Sequence, residues 1–309
     1  MSSNEQYASL RRKRAWLRSR SLIAVLAANA VLSLATGAQA EDDAAFHELE
    51  TKYIFGNFTV GSSTGIEGER AFEPNTTANF GKRSGRYGAS QTELEYEYTP
   101  SQYIQIEFGP TVSAYNIHGV PGLDDANMAA INGFTGEIRS VLIDRGPSPI
   151  AVTMSLEPEF RSRDETSGVK VVNYELEAKL EADAELIKNR LFLGFNLLFE
   201  PETTRGDFGI WQTEATVGAS AALALQIVPN VVIGADLWYL RHYDSIAFGT
   251  FTGDAVYLGP TLFWKISSKM LMSAAWETQV AGREVGVMPA LDLTDFSRQR
   301  ARLLFEFEF

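Results

Sequence analysis

The chain has 309 residues, no cysteine and a formal net charge of −12. The missing thiols exclude disulfides and thiolate metal centres, and the acidic balance makes nucleic acid and anionic membrane surfaces poor partners. No run of about 18 apolar residues follows the first forty, which excludes a transmembrane helix there, but not a β-barrel, whose strands need only about 9 to 11 alternating residues.

Residues 1–40 read as a secretory signal peptide. Arg11, Arg12, Lys13, Arg14, Arg18 and Arg20 form a basic front, residues 22–32 an apolar stretch, and Ala38-Gln39-Ala40 a small-x-small cleavage site before Glu41. The rest, residues 41–309, reads as one domain built from a repeated unit. Each unit is an alternating stretch, a short polar turn, another alternating stretch and a longer loop.

The first strand is expected at 48–57, with Leu49, Thr51, Tyr53 and Phe55 on its apolar face, followed by a long external loop over 58–89. Strand 2 sets Thr92, Leu94, Tyr96 and Tyr98 against Glu93, Glu95 and Glu97. After a turn at 99–102, strand 3 sets Ile104, Ile106, Phe108, Pro110 and Val112 against Gln105 and Glu107. Glutamates at every second position suit a wet interior rather than a soluble protein's core. Strands 4 and 5 are expected at 134–143 and 150–163, carrying Glu137 and Arg139, then Glu157, Glu159, Arg161 and Arg163 on the polar face. Pro158 costs a ladder hydrogen bond there, so a bulge or break is expected.

Strand 6 alternates Val172, Tyr174, Leu176, Ala178, Leu180 and Ala182 with Asn173, Glu175, Glu177, Lys179, Glu181 and Asp183. Its Glu, Ala, Leu and Lys content favours a helix, but its apolar residues separate only at period two. Strand 7 turns Leu191, Leu193, Phe195, Leu197 and Phe199 outward. Strand 8 spans 211–227; strand 9 carries Val231, Ile233, Ala235, Leu237 and Tyr239 outward and Asp236 inward. Strand 10 turns Val256, Leu258, Pro260, Leu262, Trp264 and Ile266 outward and Lys265 inward. Strand 11 turns Met272, Ala274 and Trp276 outward and Glu277 inward, and the last long loop runs over 281–296.

Strand 12 places Ala301, Leu303, Phe305, Phe307 and Phe309 on one face, with Arg300, Arg302, Leu304, Glu306 and Glu308 on the other. This ending resembles the C-terminal signal strand of Gram-negative outer-membrane β-barrels. The resemblance implies an all-β fold: a transmembrane antiparallel up-and-down barrel of twelve strands after a cleaved signal peptide. It also implies that Phe305, Phe307 and Phe309 are read by the barrel-assembly machinery, that both termini are periplasmic, and that outer-membrane lipid and lipopolysaccharide surround the wall. Tyr98, Tyr103, Trp264 and Phe309 near the short turns, and Phe134, Phe160, Trp211, Tyr239 and Trp276 toward the long loops, would form its aromatic girdles. A soluble β-sandwich would not alternate turn lengths so regularly.

With that parity, Glu95, Glu97, Glu107, Glu157, Glu159, Glu175, Glu177, Glu181, Asp236, Glu277 and Glu306 line the lumen, with Arg139, Arg161, Arg163, Lys265, Arg300 and Arg302 among them. So many charges require water or a dense ion-pair network. An open acidic lumen predicts passive or weakly selective passage of small solutes with a preference for cations. The arginines toward the long loops would either collect anions or pair with neighbouring glutamates. A barrel-borne hydrolase is the enzymatic alternative. Of the three histidines, His47 precedes strand 1 on the periplasmic side, His118 lies in a loop with no serine two residues on, and His242, with Asp244 and Ser245 close by, is the best candidate, though its parity is inward. Asp124-Asp125 falls far short of a calcium-ligand pattern, and no phosphate-binding glycine motif is present, so neither metal nor other cofactor is expected. A closed barrel serving envelope structure or surface attachment through its loops is the third reading.

Overall fold

The period-two alternation becomes twelve antiparallel strands in the computed structural model, which describes residues 49–146, 148–206, 209–288 and 291–309. The segment read as a signal peptide lies outside them. The strands are β1 Arg70–Phe80, β2 Gly88–Ser101, β3 Ile104–Ile117, β4 Ala126–Ile143, β5 Ile150–Arg163, β6 Lys170–Ile187, β7 Leu191–Arg205, β8 Trp211–Val228, β9 Val231–Tyr243, β10 Phe251–Ser267, β11 Met270–Glu284 and β12 Gln299–Glu308. Each pairs with its sequence neighbours, and β1 closes on β12 from Ala71↔Glu308 to Phe80↔Gln299. Closure leaves no unpaired edge. At one end the connections are short, as at 102–103, 229–230 and 268–269; the other end carries longer ones, up to 285–298.

The outer face is apolar. Ile106, Phe108, Leu180, Phe195, Leu223, Leu237 and Leu262 are exposed there, and Tyr103, Trp264, Phe134, Trp211, Tyr239 and Trp276 are exposed toward the two ends. β6 is a strand throughout, so the periodicity outweighs its helix-forming composition. Pro158 causes no register shift and pairs with Leu176 on the β6 side, but on the β4 side the ladder is interrupted there, between Thr135↔Glu159 and Ile138↔Leu156, as the missing N–H predicts.

The first strand is not where its sequence pattern places it. Of the strand expected at 48–57, the described residues 49–57 are not a barrel strand, and 58–89 is not one long external loop, because β1 occupies Arg70–Phe80 within it. From Leu49 onward the chain instead folds through turns inside the barrel, where Tyr53, Ile54 and Phe55 are all fully buried. A lipid-facing strand would bury only alternate residues, whereas three consecutive buried apolar side chains require protein on every side. They pack against Phe192, Ala222, Ala224, Val232, Phe263, Leu271 and Leu304, which point inward from β7 to β12. Burying side chains such as Ile54 and Phe55 contributes about 1.5–3 kcal/mol each.

Two glycines make this docking possible. Gly56 has φ +87°, and a Cβ there would lie 2.6 Å from the Thr261 methyl; Asn57 follows at φ 68°, so the chain reverses sharply. Gly194 faces the Phe55 ring, whose nearest atoms would stand 3.0 Å from any Cβ added to it. Beyond the reversal, Thr59 donates its N–H and hydroxyl to Asp236 at 3.0 and 2.8 Å, Val60 and Asn196 exchange hydrogen bonds of 2.8 and 2.7 Å, and Ser62 donates to Asp183 from its N–H at 2.6 Å and its hydroxyl at 2.8 Å. Every such bond ties the internal segment to the wall.

Candidate functional site: an acidic wall beside an internal segment

The lumen is divided by chemistry. Small and apolar side chains from β7 to β12 receive the internal segment at the short-turn end, while carboxylates crowd the wall from β1 to β8. Their order follows from strand register. Glu97 lies directly opposite Glu107, Glu107 opposite Glu137, and Glu157 opposite Glu177. Flanking pairs in the same ladders set Glu137 opposite Glu157 and Glu177 opposite Glu200. Directly opposed residues have Cβ atoms about 4.5–5.5 Å apart. The carboxylates thus form an unbroken row across adjacent strands from β2 to β7.

Because barrel strands tilt, a row running across them also climbs. Glu107 lies three residues beyond the start of β3, Glu157 seven beyond that of β5 and Glu200 nine beyond that of β7. At about 3.4 Å per residue the row rises roughly 15–20 Å up the wall. A second row, Glu159↔Glu175↔Glu202↔Glu214, runs above it toward the long loops. Glu200, Glu202 and Glu214 lie beyond the clear apolar alternation, which in strand 7 stops at Phe199; the inward parity of Leu198 continues through both glutamates of β7. Glu73, opposite Glu95, lies in β1, where the sequence pattern suggests a loop.

Basic side chains meet the rows at intervals. Lys52, on the internal segment and only 4% exposed, directs its ammonium at Glu73, Glu97 and Glu107 at 3.2, 2.7 and 2.5 Å. Arg139 pairs with Glu181 at 2.7 Å and Glu137 at 3.6 Å, and donates to the Gly61 carbonyl of the internal segment at 2.9 Å. Lys179 pairs with Glu177, and Arg161 with Glu175, Glu165 and Glu159. Arg300 pairs with Glu277 at 2.5 Å, its guanidinium over the rings of Phe58 and Tyr257 at 4.2 and 4.4 Å. Arg302 stands 3.8 Å from Glu93. These arginines are matched by acids, so they form no free basic rim. Arg163 instead donates to the Gly168 carbonyl in its own loop, and Lys265 is buried toward the short-turn end.

The first row is less matched toward its upper end. Among the described residues Glu157 accepts only from the Thr135 hydroxyl, at 2.8 Å, and Glu200 has no ion-pair or hydrogen-bond partner. Both line a cavity of about 410 Å³ at the long-loop end, together with Glu177, Glu202 and Glu214 and, on the opposite wall, Trp238 and Tyr257. Phe58 of the internal segment is part of its lining. A second cavity of about 30 Å³, bordered by Glu157, Glu137, Glu107, Arg139 and Lys52, shares four of the vestibule's lining residues and reaches down the acidic wall. That is room for little more than water, and Lys52 borders it.

The mouth is narrowed by residues 291–298. Asp292 and Leu293 are buried, Gln279 donates to the Asp292 carbonyl oxygen at 2.7 Å, and Tyr257 donates to the Ser297 carbonyl. Burial, then the neighbouring Asp295, pushes the Asp292 carboxyl up to about 6. Lys82, from the β1–β2 loop, donates to the carbonyls of Thr294 and Phe296 at 2.9 and 3.0 Å, and burial pushes it down to about 8. In the β3–β4 loop, the Gly119 N–H and then the His118 ring hold Asp125 below the usual carboxylate range.

The hydrolase candidates do not assemble. His242 Nδ1 bonds the Thr252 hydroxyl at 2.8 Å and Nε2 faces Glu214 at 3.4 Å, while the Ser245 hydroxyl accepts the Ala247 N–H and Asp244 accepts the Thr250 N–H within their own turn. On β12, Phe305 and Phe307 are half-exposed outside and stack on each other, and Phe309 is exposed beside Tyr96.

An apolar exterior, a charged interior and full closure of twelve antiparallel strands define a transmembrane β-barrel of the outer-membrane type. The fold is shared with the COG4313 outer membrane channel from Pseudomonas putida F1, at a TM-score of 0.56 and 10% identity over 80% of this chain and 98% of that one. More distant are the NanC porin, at a TM-score of 0.46, 11% identity and coverage of 77% of this chain and 100% of that one, and the KdgM porin in complex with disordered oligogalacturonate, at 0.43, 9%, 77% and 99%. The chain belongs to the family described as "Family of unknown function (DUF6662)", which it matches over residues 48–309. No curated protein matches it.

Proposed function

We propose that the protein is an outer-membrane channel for small cationic solutes, held closed in this conformation by residues 49–65. The climbing row of glutamates from Glu97 to Glu200 carries this reading. Carboxylates spaced along a water-accessible wall lower the energy of a passing cation and raise that of an anion. The short-turn end is then periplasmic, the vestibule opens outward, and the internal segment blocks the periplasmic half. Lipopolysaccharide and phospholipid surround the wall, and Phe305, Phe307 and Phe309 serve as the strand recognised during assembly.

The docked segment also favours a second reading, a permanently closed barrel with an envelope or attachment role. Solute flux separates the two. Proteoliposomes carrying the folded chain should admit free lysine faster than glutamate, although the two are similar in size. Equal rates for the two solutes contradict an acidic pathway, and no flux above protein-free vesicles supports the closed barrel.

A further inference from the structure

At the short-turn end, carboxylates gather from separate parts of the chain. Glu50 begins the internal segment, Glu69 precedes β1 and Glu308 ends β12, and one oxygen from each lies within 4.8 Å of the others. Two residues back on the inward face of β12, Glu306 is 1% exposed, and neither carboxylate oxygen has a hydrogen-bond partner among the described residues. It shares the inward face of β12 with Glu308 and lies close enough to Glu50 for their charges to oppose each other. Glu69 Oε2 accepts the Ile66 N–H at 2.6 Å, while its Oε1 is buried without a partner.

Among the described residues no basic side chain forms an ion pair with this cluster. Lys52 is committed to Glu73, Glu97 and Glu107. Lys265 is the basic side chain that bears most on Glu50 and Glu308, yet it forms no ion pair among the described residues. Converging carboxylates of this kind are held by protons or by a cation. Oxygen donors without nitrogen or sulfur suit a hard divalent ion, and carboxylates brought from three separate chain segments suit the flexible coordination of Ca²⁺ better than the strict octahedron of Mg²⁺.

We infer that Glu50, Glu69 and Glu308, with Glu306 beside them, form a Ca²⁺ site that fastens the start of the internal segment to the strand that closes the barrel. The inference concerns the docking of that segment and stands whether or not the lumen conducts. One ion would join residue 50 to residue 308, and so couple the segment's release to local Ca²⁺.

Calorimetric titration of CaCl2 into the folded, chelator-stripped full chain in detergent tests it, with circular dichroism as the check on folding. About one Ca²⁺ per chain should bind, at least ten-fold more weakly in Glu69→Gln and in Glu308→Gln. CaCl2 should also raise the thermal midpoint more than NaCl of equal ionic strength. No binding heat and no midpoint shift overturn the site and assign the cluster to shared protons. Unchanged binding in both variants overturns it in favour of surface carboxylates. Should one variant fail to fold, the other and the wild-type midpoint still decide.

Discussion

Removing residues 49–65 should raise single-channel conductance on the order of ten-fold over the intact chain, since a twelve-strand lumen is wider than one filled by side chains alone. The shortened protein keeps every barrel strand, because β1 begins at Arg70, and should still refold. It loses the burial of Tyr53, Ile54 and Phe55 and exposes Phe192, Phe263 and Leu271 to water. Its melting temperature should therefore fall while its strand content does not. Equal conductance before and after deletion would mean that the segment does not obstruct the pathway.

Lys52→Met should release the segment without shortening the chain. Its ammonium is the only basic group within ion-pair distance of Glu73 and Glu97 among the described residues, and with Glu107 these three carboxylates are almost wholly buried. Taking away one partner of a buried charge cluster costs about 3–5 kcal/mol, which exceeds the burial energy of any single apolar side chain in the segment. The variant should show frequent openings in a planar bilayer and rapid proteolysis within residues 49–65, with the barrel intact. Lys52→Arg keeps the charge and should remain closer to wild type. A Lys52→Met protein as quiet and as protease-resistant as the parent would show that Lys52 does not hold the segment in place.

The same physics explains what the sequence discloses. Strands with one lipid face and one polar face, such as β2 with Glu93, Glu95 and Glu97 opposite Leu94, Tyr96 and Tyr98, are legible because the two solvents impose opposite chemistry at period two. β1 escapes because its outward residues include Pro74, Thr76 and Ala78, too weakly apolar to stand out. Residues 48–57 mislead in the opposite sense: Leu49, Thr51, Tyr53 and Phe55 alternate, but Ile54 between them is also apolar, which fits burial on all sides.

A signal for the internal segment was present elsewhere. In β8, inward Ala222 and Ala224 alternate with outward Ala221, Leu223 and Leu225, and in β10 Phe263 points inward between Leu262 and Trp264. Walls apolar on both faces cannot line a wet lumen; they need a covering partner, and the chain supplies its own. The row of glutamates was visible residue by residue, but its continuity depends on inter-strand register, which bulges such as those between Thr111 and Val112 or Val141 and Ile143 adjust in ways no single strand reveals.

The most direct test of an acidic cation pathway is the reversal potential of the chain lacking residues 49–65, measured across a planar bilayer under a salt gradient, with and without Glu157→Gln and Glu200→Gln. The row of carboxylates predicts clear cation preference that weakens when these two are neutralised, because both face the vestibule without an ion-pair partner among the described residues. Anion preference, or a reversal potential indifferent to both substitutions, would contradict it.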